Sequence, residues 1–339
     1  MRIRFRYTIL AISFLLFIWG CKKEKRTEKS IYETLEELPD SIQVGGITFM
    51  YGFKNQILAH KNEVFDSIYI EKRFYKPNQY LFDSCFNFFP TPIYSLKEVK
   101  KWNSTYLKDY DTIVWKQTKF LIEQNIDSLF REHLRGVQDI TGIKGNAKFL
   151  AYFPPKNYGI SGGCDPQSMA FDLMYKIEDK DYIQSVIPHE IEHTVYESQM
   201  GNDPYYSTGI GVTIDEGLAS FFEHRYLNKP ESIILNSEEE TSWLIEHERV
   251  IFEKLEPFFF KELDEACPLL YHFDRNSECE PLIFNTPTKI VKVNLGYFLG
   301  HRIVERYELT NGKDSWKDAY KLSPREFYER SGYKEHITK

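Results

Sequence analysis

The stretch His189-Glu190-Ile191-Glu192-His193 decides how this chain is read, because it sets two imidazoles four residues apart with two carboxylates between them. On a helix, residues four apart share a face and sit about 6 Å apart along the axis, so both rings can turn toward one metal ion. The acid following the first histidine then stands beside that ion as a proton acceptor. Pro188 sets a condition on the helix. It removes an N–H and crowds the turn before it, so either the helix starts there or one running from about Asp181 is kinked just ahead of the histidines.

A second helical pattern follows at Thr213-Ile214-Asp215-Glu216-Gly217-Leu218-Ala219-Ser220-Phe221-Phe222-Glu223-His224. Leu218, Phe221 and Phe222 form an apolar stripe, while Glu216, Ala219, Ser220 and Glu223 share another face. Glu216 is thereby available as an oxygen ligand beside the two histidines, and His-His-Glu with an open fourth position is a known ligand set for hydrolytic zinc. The competing reading of Glu216 is an ordinary solvated acid near a helix N-terminus. Ala219, one turn on, is small enough to let this helix lie close against the first. The pentapeptide itself reads in two directions. Glu190 and Glu192 lie about 80° on either side of the midline between the histidines, so helical period alone does not say which is the base.

Together, these segments resemble predicted zinc-dependent proteases of the gluzincin type, which pair His-Glu-x-x-His with a downstream Glu-Gly-Leu-Ala. The resemblance covers about residues 145 to 335, with Gly296-Tyr297-Phe298-Leu299-Gly300-His301 and Ser331-Gly332-Tyr333 as its weaker parts. It implies a zinc site of His189, His193 and Glu216, with Glu190 rather than Glu192 as general base, in a metallopeptidase acting on peptides or proteins. It also implies an α+β, zincin-like fold with a small sheet, an edge strand just before the motif helix and a mostly helical C-terminal half. A tetrahedral oxyanion needs a positioned donor besides the metal. Tyr297 is the first candidate, since Gly296-Tyr297 begins a predicted helix in the resembling region; His224, Tyr205, Tyr206 and His301 are the reserves.

The N-terminus has the layout of an export signal: Arg2, Arg4 and Arg6, an apolar run from Thr8 to Trp19, then Gly20-Cys21. The run is too short to span a bilayer, which takes about 20 residues. Gly20-Cys21 resembles a bacterial lipobox, so residues 1–20 are expected to be a signal peptide. Cys21 would then be lipidated, anchoring the protein in a bacterial envelope membrane, with the outer membrane as the first expectation. Residues 21–30 read as a charged tether, 31–144 as an N-terminal mixed α/β region, and 145–339 as the metallopeptidase domain.

Removal of residues 1–20 leaves 40 basic against 50 acidic residues, a net charge of −10 with the basic residues scattered, which gives no electrostatic case for nucleic acid. Four cysteines remain beyond Cys21, and their spacing favours Cys267 with Cys279 among three pairings. Ile47–Tyr51, Ser67–Ile70, Lys148–Phe153 and Ser168–Leu173 read as strands, and residues 111–140 as helical. A rival class remains open: an envelope lipoprotein that uses this fold for binding or assembly, without catalysis.

Overall fold

Ile47, Phe49 and Tyr51 are buried while the residues between them are half-covered, and this alternation makes Ile47–Tyr51 a strand with one sealed face. It is the second of five: β1 Ser41–Val44, β2 Ile47–Tyr51, β3 Lys148–Tyr152, β4 Gly162–Asp165 and β5 Ser168–Asp172, in the spatial order β1-β2-β3-β5-β4. The computed structural model describes residues 30–61, 64–88, 93–123, 125–155, 162–165, 168–174, 180–229, 238–263, 265–266 and 295–339. The expected signal peptide, Cys21 and most of the expected tether lie outside them.

The sheet is mixed. β2, β3 and β5 run parallel, with Phe49 opposite Phe149 and Phe149 opposite Met169; β1 and β4 close the two sides antiparallel. Strands from both sides of residue 144 therefore share one sheet. The strand expected at Ser168 is β5, but it is not the edge. β4 turns back and pairs along it, so the Gly162-Gly163 backbone forms the rim instead.

Helices make up most of the rest: α1 Leu96–Glu123, α2 Ile126–Thr141, α3 Lys180–Met200, α4 Gly209–Leu227, α5 Glu238–Glu246, α6 Glu248–Leu255, α7 Leu295–Asn311 and α8 Pro324–Ser331. The fold is α+β and mostly helical. Phe130 of α2 meets the sheet at Phe49 and Phe149, with ring centroids 4.4 and 5.7 Å away, and Phe171 stacks on Phe149 at 5.1 Å. Ser67–Ile70 is a helical turn, not a strand. The Asp66 carboxylate accepts from the N–H groups of Ile68 and Tyr69 at 3.0 and 2.8 Å, which caps a turn that the β-prone residues alone would not start. Cys85 is disulfide-bonded; Cys267 and Cys279 fall outside the described residues.

Two features position the site. α3 runs through Pro188 without ending, so the Gln184 carbonyl lacks its usual partner four residues on, one turn before His189. The second is a backbone contact between α4 and α7. A Cβ placed on Gly217 would lie 2.3 Å from Gly300 Cα, and one on Gly300 would lie 1.8 Å from the Thr213 carbonyl oxygen. Ala219, the small residue that the sequence offers between α4 and α3, is fully buried; a further tight approach falls at Gly217, toward α7.

Candidate metal centre

α3 and α4 face each other with three ligand-type atoms converging. His189 Nε2 and His193 Nε2 are 3.2 Å apart, and Glu216 Oε2 lies 3.2 Å from His193 Nε2 and 3.6 Å from His189 Nε2. Tetrahedral zinc with bonds of about 2.0–2.1 Å separates its ligands by about 3.3–3.4 Å. The triangle has that size before any ion is placed in it, so the donor set fits zinc in both chemistry and spacing. The His189 and Glu216 side chains keep 14% and 20% of their surface exposed, which leaves the trio open to solvent on one side.

Glu216 is the eighth residue of α4, whose N-terminus is capped by the Thr208 side chain. The macrodipole acts over the first turn, so the solvated N-terminal acid is not what Glu216 is. The two histidines and the acids around them form a charge cluster in the metal-free protein. Burial alone would lower His189, but its contacts with Glu216 and Glu223 outweigh this and raise it to about 10. His193 is raised far above its ordinary value against the same desolvation, through Asp215 and Glu216. Burial would raise Glu216, yet the paired histidines hold it well below the usual carboxylate range.

The structure also separates the two acids of the pentapeptide. Glu192 is fully buried, and its Oε1 accepts a hydrogen bond of 2.9 Å from the Tyr320 hydroxyl; burial pushes its pKa up to about 8. Glu190 is 6% exposed, raised chiefly by burial, and its Oε2 has no hydrogen-bond partner among the described residues. Glu192 is tied through one oxygen to Tyr320, and Glu190 Oε2 has no such tie.

Tyr297, near the start of α7, lies with its ring parallel to His189, tilted by 6° at a centroid distance of 6.2 Å. The reserves are placed differently. The Tyr205 hydroxyl accepts from Arg325 at 2.8 Å, and the Tyr206 hydroxyl donates to Glu197 at 2.5 Å. His301 is fully buried beside His224, and burial drops its pKa to about 3, leaving the ring neutral. Sequence reading missed the role of Tyr320, which lies 128 residues from its partner and has no local signal.

Residues 154–329 match a family described as "Predicted Zn-dependent protease (DUF2268)", a span of more than half the chain. The chain belongs to this family. In this family of predicted zinc-dependent proteases, the matched span takes in α3, α4, α7 and Tyr320, and so every residue of the cluster described above. No curated protein and no solved structure matched the chain.

Proposed function

We propose that this protein is a zinc-dependent peptidase of the gluzincin type, with a zincin-like fold, held on a bacterial envelope membrane through lipid at Cys21. The observation that carries the catalytic part is the triangle of His189 Nε2, His193 Nε2 and Glu216 Oε2, with separations of 3.2, 3.2 and 3.6 Å. Family membership supports the same reading. His189, His193 and Glu216 hold the metal, and zinc there supplies Lewis acidity and lowers the pKa of a water toward about 7.

The chain's own residues do the rest. Glu190 takes the proton of the attacking water and passes it to the departing amine, a transfer worth roughly 10²–10⁴-fold in rate. Tyr297 offers a hydroxyl to the oxyanion from its place against His189. An extended substrate adds its main chain to the sheet at β4, one of its two edge strands among the described residues. The anchoring part rests on residues 2–21, and among the described residues no helix is long and apolar enough to cross a membrane.

A peptide-library cleavage assay tests the catalytic reading. Zinc-loaded Glu190→Gln should keep its metal and lose turnover, while Glu192→Gln should keep most activity. The opposite pattern would hand the base role to Glu192. A zinc-loaded wild type that cleaves nothing would favour a binding or assembly role on the envelope.

A further inference from the structure

The ring nitrogens that point away from Glu216 each meet a carboxylate of the same helix. His193 Nδ1 lies 2.7 Å from Asp215 Oδ1, a hydrogen-bond length, and both residues are buried. His189 Nδ1 lies 3.7 Å from Glu223 Oε2, longer than a direct hydrogen bond and within ion-pair range. Along α3 the sequence runs from His189 to His193 while the partners on α4 run from Glu223 back to Asp215, so the two helices cross the site in opposite senses and each histidine finds its own acid.

We propose that Asp215 and Glu223 are positioning residues: with zinc bound, they hold His193 and His189 with the Nδ1 proton toward α4 and leave the Nε2 lone pair for the metal. The inference rests on the zinc reading above and adds that α4 supplies one ligand and both ring anchors. A neutral imidazole has one donor and one acceptor nitrogen, and a carboxylate can only accept. The nitrogen facing Asp215 is therefore the donor, which leaves Nε2 as the electron pair for the metal.

A rival arrangement would place an ion on the other side of His193, among Glu192, His193 and Asp215, whose ligand-type atoms also lie within 4.8 Å of one another. Two observations count against it. The 2.7 Å between Asp215 Oδ1 and His193 Nδ1 is shorter than the ~3.3 Å that separates two ligands of tetrahedral zinc. Glu192 Oε1 is already engaged by Tyr320 at 2.9 Å.

The test uses the mature full-length protein. Zinc affinity is measured by competition with a chromogenic chelator, and the number of imidazole ligands by X-ray absorption. Asp215→Asn should bind zinc about 10–100-fold more weakly, the usual effect of losing such a partner, with two imidazoles still on the metal. Glu223→Gln should lose less, given its longer contact. Wild-type affinity in Asp215→Asn overturns the proposal, and so does a change in the ligand shell that marks Asp215 as a ligand. Should Asp215→Asn fail to fold, nitrogen NMR of the zinc-loaded wild type decides: a protonated Nδ1 on His193 is expected, and a protonated Nε2 overturns the inference alone. A wild type that takes up no zinc removes the zinc reading and this inference together.

Discussion

Replacing Gly217 by alanine probes the contact that sets α4 against α7. The added Cβ would sit 2.1 Å from the Gly300 carbonyl carbon, 2.3 Å from its Cα and 2.5 Å from the His301 nitrogen, all backbone atoms that no rotamer change can move. Ordinary contact begins near 3.4 Å, so the helices must part by about 1.3 Å. Two effects oppose each other. Alanine is favoured over glycine inside a helix by about 1 kcal/mol. Overpacking costs about 1–3 kcal/mol, and a backbone clash belongs at the upper end. The clash wins by about 2 kcal/mol, which at roughly 2 °C or more per kcal/mol lowers the melting temperature by about 4 °C or more. Thermal unfolding of metal-free protein reads this directly. Zinc affinity should fall as well, because Glu216 precedes the strained residue. A Gly217→Ala protein as stable as wild type, or more so, would refute the close approach and leave only helix propensity at work.

The raised pKa values of the histidines make metal uptake pH-dependent. His189 at about 10, with His193 also raised, means both rings carry protons at pH 7, so zinc must displace them and its affinity should keep climbing from pH 7 toward 10. A plateau at pH 7 would contradict this. The same shift stabilises the metal-free fold: the folded pKa of His189 exceeds its ordinary 6.5, so the contribution is full below about 6.5 and lost as pH rises through about 10. Tyr320→Phe removes the donor to Glu192, whose other oxygen already lacks a partner, and should cost about 1–3 kcal/mol in denaturant unfolding; a change under about 0.5 kcal/mol would show that the bond is not made. Cys21→Ala should lose acyl labelling and leave the membrane fraction, whereas continued attachment with an intact N-terminus would point to an uncleaved anchor.

What could be read from the sequence follows from the range of each signal. β2, β3 and β5 were legible because their side chains carry strand composition locally, and residues 111–140 because apolar residues recur at helical spacing; the first of those helices simply extends back to Leu96. Ser67–Ile70 misleads because its composition favours a strand, while the Asp66 cap that decides for a helix lies one residue outside. β5 lost its edge position to β4, and the order of strands in a sheet is not written in the periodicity of any one of them. At the site, the four-residue spacing of the histidines and the helical face of Glu216 were enough to nominate the trio. The contacts that shape it are long-range: Gly217 with Gly300, and Tyr320 with Glu192, pair residues that no local pattern connects. Helical period also could not tell the surroundings of Glu190 from those of Glu192, because the Tyr320 hydroxyl that bonds Glu192 comes from 128 residues away.

Zinc content of the purified protein, with and without Glu216, tests the central claim most directly. The wild type should hold about one zinc per chain after loading and dialysis, and Glu216→Ala should lose most of it, since removing one of three protein ligands opens the site. A Glu216→Ala protein that retains zinc at wild-type affinity would contradict the account and move the metal to other residues of the cluster.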